Sequence, residues 1–306
     1  MSSSVQTITP PSGVALVRPG VSITDLLLLL MALIWGVNIA VVKYGTLHLP
    51  PLAYNGVRVA IAAVALLAIA AMMGDRWPAR RDVTALLLLG VLGNGLYQLL
   101  FIQGIAHTKA GNAALVLAAT PAFVALFGWL RGTERIRARG MAGIAISVLG
   151  IGLVIAGTAP ASAGMSTLFG DLLVLAGCFC WAAFTVLLKP FTERINAVQV
   201  AGITMAGGVV PLLAVSAPAI VATAWSSVPL MAWGAIVFSG IGALVVAYLC
   251  WYRGVRVLGP TRTAMYGNLQ PVVALLFAWV ILHEVPTVMQ GMGAASIITG
   301  LLMTRG

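Results

Sequence analysis

Residues 120–134 read Thr-Pro-Ala-Phe-Val-Ala-Leu-Phe-Gly-Trp-Leu-Arg-Gly-Thr-Glu, and residues 270–284 read Gln-Pro-Val-Val-Ala-Leu-Leu-Phe-Ala-Trp-Val-Ile-Leu-His-Glu. In each stretch a proline near the start and a glutamate at the end bracket an apolar run, and an offset of 150 carries Pro121 onto Pro271 and Glu134 onto Glu284. The same offset carries Gly90, Gly104, Gly143 and Gly150 onto Gly240, Gly254, Gly293 and Gly300. A neighbouring offset of 146 carries Asp25, Trp35 and Lys43 onto Asp171, Trp181 and Lys189. Recurring glycine would be weak evidence in such a chain, but Asp and Glu number only 7, and Asp25, Asp171, Glu134 and Glu284 form two matched pairs among them. The chain is an internal repeat.

Of its 306 residues, 61% are hydrophobic and 8% charged, with a mean hydropathy of +1.06. That balance excludes a secreted disulfide scaffold, a nucleic-acid-binding domain, a disordered chain and an α/β metabolic enzyme. A hydrocarbon core about 30 Å thick needs roughly 20 apolar residues in a helix rising 1.5 Å each. Runs that fit lie at 23–44, 52–73, 83–103, 110–130, 140–157, 169–189, 197–216, 229–252, 261–282 and 286–303. The expected fold is an all-α integral membrane protein with ten transmembrane helices. Residues 1–22 read as a disordered cytoplasmic tail before an uncleaved first span. Cys178, Cys180 and Cys250 lie inside apolar runs and read as packing residues.

The formal charge of +10 has a topological origin. The termini and alternate loops hold Arg18, Arg76, Arg80, Arg81, Arg131, Arg135, Arg137, Arg139, Lys189, Arg194, Arg253, Arg256, Arg262 and Arg305, whereas the opposite loops hold Lys109. Positive-inside bias therefore puts both termini in the cytoplasm of a multi-pass inner-membrane protein and removes the need for a nucleic-acid partner. Each half, 23–157 and 169–303, carries five spans, and an odd number makes the second repeat enter from the opposite side. Inverted repeats place a site near the midplane between them and support alternating access, the plan of a secondary transporter.

Trp35-Gly36-Val37-Asn38 in the first span, Gly170-Asp171 with Trp181 in the sixth, and the paired Pro-to-Glu segments together resemble the drug/metabolite transporter superfamily in its EamA-type branch. The resemblance covers residues 23–303. It implies export or exchange of amino acids or related small metabolites, and the aromatic residues point to the subgroup that exports aromatic and other amino acids.

Pro121 and Pro271 fall at mid-span, where each removes an intrahelical donor and frees the carbonyl four residues earlier, at Leu117 and Gly267. Both are expected hinges, with a static kink as the plainer alternative. Tyr266, Asn268 and Gln270 form a polar cluster at bilayer depth, which faces a protein interior or a water-filled cavity rather than lipid. Asn94, Tyr97 and Gln98 of the third span, Trp35 and Asn38 of the first, Trp181 of the sixth, and Tyr248 and Trp251 of the eighth complete the expected substrate site. Asn94 and Gln98, four apart, are expected on one helix face, as are Tyr248 and Trp251, three apart. For each residue, ordinary interhelical packing is the alternative. Uncharged amides and aromatic faces suit a zwitterion with a variable side chain.

Arg58 lies well inside the second span. Two readings remain open: snorkelling to the outer headgroups, or attraction of a substrate carboxylate. Lys43 and Lys189 end their helices and are expected to snorkel. The carboxylates lie at span ends or in loops, so proton coupling through a midplane acid is not expected. Nothing in the motifs suggests catalysis, a metal or a cofactor. The expected partners are a small-molecule substrate and the lipid bilayer, with a monomer plausible. Carriers of lipids, drugs or nucleotide-sugars, and an intramembrane enzyme, are the competing classes.

Overall fold

A computed structural model describes residues 22–133, 138–156, 164–285 and 287–304. The expected tail as far as residue 21, Glu134, and the basic residues Arg18, Arg135, Arg137 and Arg305 lie outside the described residues. Among the described residues every regular element is helical. In chain order these are α1 (Ile23–His48), α2 (Pro51–Met72), α3 (Arg80–His107), α4 (Ala110–Leu130), α5 (Ala138–Ala156), α6 (Gly164–Arg194), α7 (Ala197–Ala222), α8 (Leu230–Leu258), α9 (Pro260–Leu282) and α10 (Val288–Thr304). Eight of them, α1 to α4 and α6 to α9, are long and apolar enough to cross a membrane. The other two, α5 and α10, are the shortest, with 19 and 17 residues.

Local chemistry sets the helix ends. Ser22 caps α1 by accepting from the Asp25 backbone N–H at 3.2 Å, while the Asp25 carboxylate accepts the Ser22 N–H at 2.8 Å, a reciprocal capping box. Pro50 ends α1, because the residue before a proline is pushed out of helical geometry, and Pro51 then opens α2 where its missing donor costs nothing. Asn196 caps α7 by accepting from Val198 N–H at 2.9 Å.

Small residues let the helices close on one another. A Cβ at Gly90 would sit 1.9 Å from the Thr204 carbonyl oxygen, and one at Gly207 would sit 2.1 Å from that of Leu87, so α3 and α7 run in backbone contact. Likewise α5 and α10 meet through Gly150 against Gly293 and Gly143 against Gly300. Gly143, Gly150, Gly293 and Gly300 are thus spent on contacts within the chain. Leu30, Val64, Leu149 and Val280 are exposed on the outer surface, where lipid is the matching solvent.

Lys43 and Lys189 do not snorkel freely. Lys43 Nζ donates to the carbonyls of Ile105, Ala106 and Thr108 at 2.9, 3.2 and 2.6 Å, capping the C-terminus of α3. Its repeat mate Lys189 donates to the Arg256 carbonyl at 3.1 Å near the C-terminus of α8 and pairs with Glu193 at 2.9 Å. Orphaned carbonyls at the negative end of a helix dipole attract an ammonium more strongly than open water does.

Candidate functional site

Both α3 and α8 change winding at the centre of the molecule. Residues Val91–Leu96 of α3 and Phe238–Val246 of α8 form π turns, ending at positions 96 and 246, one repeat offset apart. A π turn admits an extra residue and leaves carbonyls out of the α ladder, which is why such turns collect at functional sites. The Ala243 carbonyl uses this freedom and accepts the Trp35 indole N–H at 2.9 Å.

Between these helices lies a cavity walled by α1, α2, α3, α4, α6, α8 and α9. It gathers Trp35, Asn38, Arg58, Tyr97, Gln98, Trp181, Tyr248, Trp251, Gln270 and Pro121 from the residues expected at the site. Ile39, Phe101 and Thr120 also line it and had no mark in the local sequence, and Leu117, whose carbonyl Pro121 frees, lines it as well. The aromatic wall is continuous: the Trp35 ring lies 5.8 Å from Trp181, 5.9 Å from Tyr248 and 5.3 Å from Trp251, and Tyr97 lies 4.9 Å from Trp181. These are edge-on or tilted pairs, the arrangements that ring quadrupoles favour.

Arg58 turns inward and is fully buried. Its Nε donates to Asn55 Oδ1 at 2.9 Å, Nη1 to Ser239 Oγ at 2.8 Å and Nη2 to Gln98 Oε1 at 2.7 Å. Gln98 in turn donates to the Tyr248 hydroxyl at 3.0 Å, and Ser239 donates to Asn38 Oδ1 at 2.7 Å. The network ties α1, α2, α3 and α8 around the cavity. Asn55 stands three residues before Arg58 and so shares its face, a signal available from spacing; Ser239, 181 residues away, carries none.

Three expected site residues are not brought to this cavity. Asn94 lies inside the π turn and packs against Gly208 of α7. The Tyr266 hydroxyl donates to the Asp25 carboxylate at the start of α1. Asn268 lines a second, apolar cavity with Pro271, Leu115, Ala118 and Ile297, between α4, α9 and α10. In all three cases the winding changes locally. The π turn rotates Asn94 off the Gln98 face, and a tight 3₁₀ turn over Tyr266–Leu269 rotates that cluster relative to Gln270.

Both prolines sit at breaks. In α4 the α ladder stops at Leu117 and resumes at Thr120, with Pro121 in its first turn; in α9 it resumes at Gln270, followed by Pro271. The carbonyls that the prolines free are taken locally. Leu117 O accepts from Thr120 Oγ1 at 2.6 Å, and Gly267 O accepts the Gln270 N–H.

One end of the bundle is stitched by polar groups. Glu284 accepts the N–H groups of Ala110 and Gly111, both at 3.1 Å, at the N-terminus of α4. Asp171 accepts from Thr108 Oγ1 at 2.5 Å, and Gln290 donates to Asn112.

Several contacts join residues that are equivalent under the repeat. Gln98 bonds Tyr248, Ser147 Oγ bonds the Ile297 carbonyl at 3.4 Å, and Trp35 meets Trp181 edge-on; the first two pairs are 150 residues apart and the third 146.

The sequence matches the profile of the EamA-like transporter family twice, over residues 22–156 and 168–306. It is 28% identical over 228 residues to an uncharacterized transporter, YyaM, of Bacillus subtilis (strain 168), covering 74% of each chain. It is 30% identical over 246 residues to a probable terminal-alkyne amino-acid exporter of Streptantibioticus cattleyicolor, covering 80% of this chain and 81% of that protein. It is also 28% identical over 285 residues to a probable amino-acid metabolite efflux pump of Salmonella typhimurium, covering 90% and 92%. A solved crystal structure superposes with a TM-score of 0.68 at 21% identity, covering 94% of this chain and 99% of the other, a likeness of fold.

Proposed function

Because the chain belongs to the EamA-like transporter family, we propose that it exports or exchanges amino acids or related small metabolites across the inner membrane by alternating access. In this reading ten helices span the bilayer as two inverted five-helix repeats, 23–157 and 169–303, with both termini cytoplasmic. The observation that carries it is the central cavity. It is enclosed by elements of both halves, and both contribute amides and aromatic faces to its wall.

Three further observations support the architecture. The family profile matches once in each half. Residues that touch their own repeat mates, such as Gln98 with Tyr248 and Trp35 with Trp181, belong near a pseudo-twofold axis, and an axis in the membrane plane is what inverted repeats require. The asymmetry of Lys and Arg among alternate loops agrees with the orientation. The names of two relatives, an amino-acid exporter and an amino-acid metabolite efflux pump, favour an amino-acid-like substrate. Among the described residues Arg58 is the one charged residue lining the cavity, which argues against a carrier for phosphorylated sugars, whose several negative charges would need more.

The substrate site comprises Trp35, Asn38, Arg58, Tyr97, Gln98, Trp181, Tyr248, Trp251 and Gln270, and the breaks at Pro121 and Pro271 are the hinges. The test is uptake of a panel of labelled amino acids into liposomes containing the purified protein, with and without a pH gradient. Saturable, protein-dependent movement of a subset is expected, with no accumulation driven by the pH gradient. Failure to move any of them would remove the amino-acid reading.

A further inference from the structure

We infer that Arg58 supplies the cavity with a fixed positive charge that the transported molecule itself must neutralise, so that the substrate carries a carboxylate and the carrier works by exchange. The inference rests on the transporter reading above. A guanidinium has five N–H donors and remains protonated at any physiological pH. Arg58 spends three of them, on Asn55, Ser239 and Gln98, all uncharged acceptors. Two remain. The rings of Tyr54 and Phe101, 5.8 and 5.6 Å from the guanidinium carbon, soften the charge without cancelling it.

Among the described residues no carboxylate lies within 4 Å of Arg58, and the acids are engaged elsewhere. Asp25 holds Tyr266, Asp171 holds Thr108, and Glu284 holds the N-terminus of α4. A buried charge ordinarily escapes its desolvation cost by titrating or by pairing. Arg58 can do neither within the protein. It lines the cavity, and its planar fork matches a carboxylate better than any neutral group.

Exchange follows from the same charge. With a carboxylate bound, the site crosses the closed, water-poor intermediate as a neutral pair. The empty carrier must take through that state a guanidinium held only by neutral acceptors, which slows its return. Substrate waiting on the far side removes the barrier.

The experiment follows efflux of an amino acid that the panel above identifies, from liposomes holding the full-length protein, into buffer with or without the same unlabelled amino acid. Efflux is expected to be about tenfold faster or more with the amino acid outside, in keeping with the strength of a charge-assisted bond. Its α-amide outside, or chloride in place of sulfate, should give no acceleration. Arg58→Gln is expected to erase the preference for acid over amide, and Arg58→Lys, which keeps the charge without the fork, to reduce it while retaining dependence on external substrate. Equal efflux in all buffers, acceleration by the amide, or acceleration by chloride would each overturn the proposal, and the wild-type measurements decide this even if both variants fail to fold. If amino acids move but ignore the amide distinction, the inference fails and the amino-acid reading survives. If no amino acid moves while benzoate or pyruvate shows the same dependence on external substrate, the reading fails and the inference survives. No movement of any carboxylate would overturn both.

Discussion

The side-chain amide of Gln98 donates to the Tyr248 hydroxyl at 3.0 Å, and the two residues are repeat mates 150 positions apart. Because Gln98 Oε1 also accepts from Arg58, this one bond orients the amide that holds the guanidinium. Tyr248→Phe removes the acceptor and keeps the ring. It should raise the transport KM several-fold, in line with the loss of a bond contributing about 1 kcal/mol, with little change in the amount of folded protein. An unchanged KM would show that Gln98 is held without Tyr248.

The division between residues that reach the cavity and those that do not can be tested directly. Alanine at Trp35, Asn38 or Gln270 is expected to raise KM, whereas alanine at Asn268, which lines the separate apolar cavity, should leave KM within about twofold. Transport kinetics for the four variants decide this. The reverse ranking would move the substrate site to the α4, α9 and α10 crevice.

Pro121→Ala and Pro271→Ala each restore a donor that an intact helix would use, toward Leu117 O and Gly267 O. Thr120 Oγ1 and the Gln270 N–H already bond those carbonyls, so the new donors share them when α4 and α9 straighten. Slower translocation with near-normal equilibrium binding is expected, seen by comparing substrate affinity with turnover. Undiminished turnover in both variants would show the breaks to be static.

Glu284 anchors the N-terminus of α4 through two backbone N–H groups. Glu284→Ala should lower stability by about 1–2 kcal/mol, and Glu284→Gln, which keeps one acceptor but loses the charge, by less. Thermal midpoints in detergent give the comparison. Equal midpoints for all three proteins would mean that water satisfies those donors as well as the carboxylate does.

His283 adopts left-handed geometry with φ of 55° at the end of α9, where the His283 and Glu284 N–H groups fold back onto Trp279 O and Ala278 O. The turn after α4 uses Gly132 with φ of 72°. A branched side chain is costly there, so His283→Val should destabilise by about 1–2 kcal/mol while His283→Gly should be neutral or slightly stabilising. Indistinguishable thermal midpoints for the Val and Gly variants would refute this.

The helical, membrane-embedded class was legible because hydropathy summed over about 20 residues depends only on local composition. The breaks at Pro121 and Pro271 were legible too, since a missing donor is a covalent fact. Spacing also picked out Gln98, Tyr248 and Trp251 as candidate site residues, and the internal repeat picked out Trp181. The structure does not bring Asn94 to the cavity beside Gln98: the four-residue spacing assumes continuous α winding, and the π turn over Val91–Leu96 interrupts it. The tight turn at Tyr266–Leu269 separated Tyr266 and Asn268 from Gln270 in the same way. Whether Lys43 met headgroups or the end of α3, and whether Arg58 reached the outer surface or the centre, depended on partners far away in the chain: Thr108 for one, Ser239 and Gln98 for the other. A charged side chain goes where the strongest competing acceptors stand, and only the packing of α1, α2, α3 and α8 brings those acceptors within reach.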